Sequence, residues 1–263
     1  MVTTPVEAAG GLEFNDMNRR VQNEPAWLLH HRPYQDASRI LEVLSRNHGR
    51  LSLVARGSRS GRSRLKGILR PFLPLSLSWA GRSDLCTLTG AELGGASVAL
   101  QGDALLSGYY ANELLILLLH RHDPQPDIFS TYAATIHGLS GGRDVPLKLR
   151  HFEIELLRLL GYALNLDHDT ETLAPLSAEQ RYVYRPEQGP VAVRDETGPM
   201  IFSGRELIDI RDRDFSRPET VRSAARLLRE VIAFHLGGRE LKSRKVLRDM
   251  RRGSERAPEK DEF

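Results

Sequence analysis

Residues 38–70 read SRILEVLSRNHGRLSLVARGSRSGRSRLKGILR. The first eight, SRILEVLS, form a half-buried strand candidate, and Asn47-His48-Gly49 supplies a turn. Leu51, Leu53 and Ala55 then alternate with Ser52, Val54 and Arg56, which predicts the second strand of a hairpin. Beyond it the apolar pattern stops and Arg alternates with Gly and Ser. Between Glu42 and Asp84 the chain runs 41 residues without an Asp or Glu, yet carries nine basic residues. The whole chain has a formal net charge of only +3, so everything outside this window is net acidic. Cations gathered this way, on a Gly/Ser-rich segment, suit a polyphosphate backbone.

Outward from the hairpin the short-strand texture continues. It begins near Trp27, and after the basic segment Leu75, Leu77 and Trp79 alternate with small residues. Gly81–Asp84 turns the chain into Leu85–Thr89. Short strands separated by turns indicate a small barrel or sandwich. Pro71 and Pro74 make the stretch before Leu75 an edge or loop. From about residue 103 the period becomes helical. One helix carries Leu105, Tyr109, Tyr110, Leu114 and Leu117 and stops before Pro124, and a second runs from Ile128 to Leu139. A third starts near Pro146 and ends at Gly161, and a fourth runs from Pro218 to Gly237-Gly238. Residues 165–200 are irregular, with β-like pieces near Tyr182–Tyr184 and Val191–Val193. The reading is α+β: a flexible extension at 1–24, a β domain at 25–100, a helical domain at 101–252 and a flexible charged tail at 253–263.

The chain has 263 residues, of which 40% are hydrophobic, enough to build a core. Its one cysteine, Cys86, forbids an internal disulfide and fits a reducing cytosol. The longest apolar run, Leu114 to Leu119, is six residues, too short for a membrane span. Residues 1–24 lack the apolar core of a signal peptide, so a cytoplasmic protein is expected.

Several segments together resemble the bacterial RecO family of recombination mediators. They are residues 29–60, LKGILRPFLPL at 65–75, YYANELL at 109–115, LRHFEIELLRLLGY at 149–162 and LGGRELKSRKVLR at 236–248, in the family's order. The resemblance implies an N-terminal OB-fold barrel followed by a helical domain, and a non-enzymatic, nucleoid-associated role. It implies binding of single- and double-stranded DNA, annealing of complementary strands and, with RecR, loading of RecA onto strands coated by single-strand-binding protein in the RecF pathway. RecF itself is a possible further partner. Some relatives carry a four-cysteine zinc module near residues 165–200. This chain has no cysteine there, so no metal or other cofactor is carried over.

Two basic clusters are the candidate DNA-binding residues. The first is Arg56, Arg59, Arg62, Arg64, Lys66 and Arg70, where flexible cations stand without neighbouring carboxylates. The second includes Lys242, Arg244, Lys245 and Arg248 on a helix from Leu241, with Val246, Leu247 and Met250 as a docking face. Aromatics are sparse at 6%, which leaves bases free to pair. Trp79 reads as core, while Tyr34 and Phe72 are stacking candidates. The resemblance points to Arg150 and Phe152 for the acidic, apolar C-terminal tail of single-strand-binding protein, which needs a cation and a greasy groove.

Two other classes compete. A metal nuclease would draw on His120, His122 and Asp123, on Asp167, His168 and Asp169, or on His30 and His31. Each group sits in a turn or near a helix end, and no H-E-x-x-H, P-loop or nucleophile-elbow pattern occurs. A sequence-reading regulator would need a basic recognition helix, whereas the first cluster lies in a Gly/Ser-rich loop.

Overall fold

A computed structural model describes residues 20–61, 63–81 and 84–246. The N-terminal strands are β1 (Arg20–Tyr34), β2 (Ser38–Ser45), β3 (Gly49–Ala55), β4 (Pro74–Ala80) and β5 (Leu85–Leu93), with a short helix α1 (Leu65–Ile68) between β3 and β4. They close into a barrel in the order β1-β2-β3-β5-β4, in which only β3 and β5 pair in parallel. This is the five-stranded OB arrangement. The alternation read in the sequence fills it: Leu51, Leu53 and Ala55 point inward with Leu41, Val43, Leu77 and Trp79. The extension expected over 1–24 overlaps β1 at residues 20–24, and its residues 1–19 lie outside the described residues. Arg20 and Val21 pair with Ala80 and Trp79, and buried Glu24 accepts from Ser45 Oγ (2.8 Å) and the Asn47 N–H (2.7 Å). That carboxylate fixes the β2–β3 turn, which gives a charged residue in an apparently featureless segment a structural reason.

The helical body contains α2 (Gly102–Leu118), α3 (Pro126–Ser140), α4 (Val145–Leu159), α5 (Gly204–Arg211) and α6 (Pro218–His235). A three-stranded sheet in the order β7-β6-β8 is inserted, from β6 (Arg181–Arg185), β7 (Gly189–Val193) and β8 (Ile201–Ser203). The short α5 escapes a periodicity search, but its start is a capping box: Ser203 accepts from the Glu206 N–H, and Glu206 from the Ser203 N–H. The loop before β6 is organised by one carboxylate. Asp169 accepts from the backbone N–H groups of Glu171 (2.9 Å), Thr172 (2.7 Å) and Ala192 (2.7 Å).

Barrel and body share a face. Along β1, Ala26 and Leu28 enter the barrel core while Trp27 and Leu29 join the helical core, where Trp27 packs edge-on to Tyr132. Arg50 extends from β3 and donates twice to the Leu119 carbonyl at the end of α2 (3.2 and 3.1 Å). Glu42 ties the junction by accepting from Arg50 (3.1 Å) and Arg121 (2.8 Å). Among the described residues no helix is long and apolar enough to cross a membrane.

Candidate nucleic-acid interface

The first basic cluster occupies the connection from β3 through α1 to β4. Arg56, Arg59, Arg64, Lys66 and Arg70 are all exposed, and none is in an ion pair among the described residues. Arg62 lies outside the described residues. The loop is anchored from below by Arg39 on β2, a buried guanidinium that donates to Ser58 Oγ (3.2 Å), the Ser58 carbonyl (3.4 Å) and the Leu69 carbonyl (3.4 Å). Ser58 is itself buried, so the loop's base is fixed while the flanking arginines face solvent. Its flank folds back on the β1–β2 turn: the Arg59 N–H donates to Ala37 O (3.0 Å) and its guanidinium to Gln35 O (3.3 Å). That turn carries Asp36, a carboxylate close in sequence to the contact points. Not every cation of the acid-free window is available, because Arg50 is consumed by Glu42 and the end of α2. Phe72 is buried, which withdraws it as a stacking candidate, Trp79 is buried in the barrel core as its alternating row predicts, and Tyr34 ends β1 half-buried.

The second cluster divides. Residues 242–246 are helical, with Lys242 and Lys245 exposed. Arg244 turns inward instead: it donates to Tyr110 Oη (2.9 Å) and lies 5.2 Å from the centre of that ring. Arg244, expected among the DNA-binding residues, is therefore half-buried against the body. Its pull toward the body comes from Glu153, wholly buried on α4, which accepts from Tyr110 Oη. Burial pushes the Glu153 carboxyl up, and Arg150, Tyr110 and Arg244 oppose that rise. Val246, expected to dock, is exposed, and buried Leu241 docks in its place. Arg248, Leu247 and Met250 lie outside the described residues.

Arg150 and Phe152 also separate. Phe152 is 1% exposed and belongs to the helical core, so it offers nothing to a partner. A peptide site built on it is corrected on that ground. Arg150 is mostly buried, its Nε 2.9 Å from Glu153 Oε2, and it borders a cleft of about 200 Å³. The greasy wall there comes from Val145, Pro146, Leu149, Val221 and Ala225, while Asp103 and Ser107 supply polar edges. Phe152 and Leu149 are both apolar residues of α4, and only packing separates them.

Several of the groups considered for metal chemistry have other partners. Asp169 is held by three backbone donors, and His122 stands 3.5 Å from Asp84. His30 and His31 stack on each other at the barrel surface. Among the described residues no three His, Cys, Asp or Glu side chains gather to hold a metal ion.

A closed OB barrel with a cation-bearing β3–β4 connection, fastened to a helical body, places this chain among two-part OB-barrel proteins. Residues 17–96 match the family described as Recombination protein O N terminal, and residues 99–245 match Recombination protein O C terminal. The chain belongs to the RecO family of DNA repair and recombination proteins. It is 43% identical to DNA repair protein RecO of Methylococcus capsulatus, over 87% of this chain and 94% of that one. It is 42% identical to DNA repair protein RecO of Azoarcus sp. strain BH72, over 89% and 98% of the two chains.

Proposed function

We propose that this chain is a non-enzymatic recombination mediator that binds single- and double-stranded DNA through its barrel and promotes annealing of complementary strands. The observation that carries this reading is the exposed set Arg56, Arg59, Arg64, Lys66 and Arg70, free of ion pairs among the described residues, on a loop whose base is pinned by Arg39. Two DNA strands repel, and a surface that neutralises both lowers that repulsion without any covalent step. Lys242 and Lys245 extend the cationic surface on the body. Family membership supports action with RecR in placing RecA on strands coated by single-strand-binding protein. The Arg150 cleft is the proposed seat for that protein's acidic tail, its carboxylate meeting the guanidinium and its apolar side chain the Val145–Leu149 wall.

The test is the salt dependence of DNA binding. Six phosphate contacts give a log–log slope of roughly −4 on single strands, and Arg59, Arg62 and Arg64 changed together to Ala lower it by about two units. An unchanged slope removes the barrel loop from the interface. Strong preference for one oligonucleotide sequence would point to a regulator instead, and cleavage of labelled DNA with divalent metal to a nuclease. For the cleft, Val221→Asp adds a repelling charge without orphaning Glu153, and weakens binding of a tail peptide.

A further inference from the structure

A second cleft, of about 500 Å³, opens where the barrel meets the body, within the size range of small-ligand sites. Arg50, Arg121 and Arg239 line it together with His120, Tyr162 and His235, and no carboxylate is among its lining residues. Glu42 stands behind Arg50 and Arg121 and offsets one of the two charges. Arg50 is spent on the end of α2, whereas Arg121, which donates to Ser52 Oγ (2.6 Å) and Glu42 (2.8 Å), keeps 40% of its side chain exposed. Arg239 is exposed and, among the described residues, its guanidinium donates through Nε to the Leu236 carbonyl.

The cleft also holds an exposed aromatic stack. The rings of Tyr162 and His235 stack at 4.0 Å and 16° from parallel, with Phe234 edge-on to His235. Tyr162 is 42% exposed and Phe234 50%, in a chain poor in aromatics. The position of Tyr162 is built, not incidental. Gly161, at φ +82°, ends α4 in a Schellman turn: its N–H meets Arg158 O (3.1 Å), and the Tyr162 N–H meets Leu157 O (2.8 Å). The end of α6 delivers His235 and Arg239 to the same place. Helix C-termini present carbonyl oxygens and repel anions, so a ligand here is received by side chains. An exposed ring pair beside two guanidiniums matches a nucleobase flanked by phosphates, since base–aromatic stacking tolerates any base.

We propose that this cleft is a second, base-stacking site for single-stranded nucleic acid. One base packs on the Tyr162–His235 pair, and Arg121 and Arg239 take the flanking phosphates. β3 links the two sites, with Arg50 near its start and Arg56 just past its end, ~20 Å apart at the usual strand rise. The inference rests on the single-strand binding proposed above, and adds a contact that reads the base rather than the backbone.

The test compares the full chain's affinity for an oligothymidylate and for an abasic strand of equal length and charge. The wild-type chain binds the oligothymidylate about tenfold more tightly, the worth of one stack. Tyr162→Leu keeps the apolar volume and collapses the ratio toward one, while Tyr162→Phe retains it. The triple arginine variant of the barrel loop weakens both affinities and leaves the ratio in place, so an unmoved affinity there overturns the barrel reading and not this one. A wild-type ratio near one, or a ratio equal in the wild type and Tyr162→Leu, overturns the stacking site. A cleft that serves a protein partner gives that second result.

Discussion

Glu113, on α2, accepts the backbone N–H of Lys242 at 2.8 Å, across 129 residues of sequence. Its other oxygen accepts from the Ser243 N–H (2.9 Å) and hydroxyl (2.6 Å). A side chain from the body thus supplies the N-terminal cap of the C-terminal helical turn, and a carboxylate there also meets the favourable end of the helix dipole. The basic segment is consequently fixed at its root. Glu113→Ala is expected to cost about 1 kcal/mol locally. Amide exchange at Lys242 and Ser243 accelerates and proteolysis near residue 241 increases, while the barrel keeps its protection.

Arg39 gives the opposite kind of contribution to binding, that of a cation which holds others in place. Arg39→Ala leaves the Ser58 and Leu69 carbonyls without their donors and costs about 2 kcal/mol in thermal unfolding. DNA affinity falls because the loop loses its base. The salt slope changes by less than for Arg59→Ala, since Arg39 is buried and meets no phosphate. Equal slopes for the two variants would place Arg39 in the interface itself.

Gly49 sits where the barrel packs against the backbone of Asp123, just beyond α2. Its φ is +67°, and a Cβ there would lie 2.2 Å from the backbone carbonyl oxygen of Asp123. Gly57, at φ +64°, has open space around it. Gly57→Ala therefore costs only the backbone term, about 1 kcal/mol, whereas Gly49→Ala adds a clash with main chain and costs at least about 3 kcal/mol. The difference is read as the separation of the two urea midpoints.

Much of this architecture was legible in the residues. The alternation at Leu51, Leu53 and Ala55 fixed which side chains fill the barrel, and the prolines at 146 and 218 marked helix starts close to those of α4 and α6. What stayed hidden depends on contacts between distant segments. Arg39 and Arg50 carry the same charge and stand in the same hairpin as Arg56, yet one anchors a loop and the other caps a helix. Arg244 looked like its neighbours Lys242 and Lys245 until Tyr110 and Glu153 drew it inward. The stacked pair of Tyr162 and His235 joins residues from the ends of two helices, and no spacing rule links them.

Glu155 carries the clearest dependence on pH. It accepts from Arg158 (2.7 Å), on its own helix, and from Arg213 (2.7 Å), just beyond α5, so it ties α4 to the turn before α6. The hydrogen bonds from Arg158 and Arg213 hold its carboxyl down at about 2, from an ordinary value of 4.5. A lowered carboxyl stabilises the fold fully above its unfolded value, and that contribution disappears as pH falls from about 4.5 toward 2. Both guanidiniums are substantially exposed, which limits the effect to about 1 kcal/mol and makes it weaken with salt. Glu155→Gln should lower stability at neutral pH and flatten the wild-type loss between pH 4.5 and 2, measured by urea unfolding across that range. Parallel pH curves for the two proteins would assign the tie no ionic share.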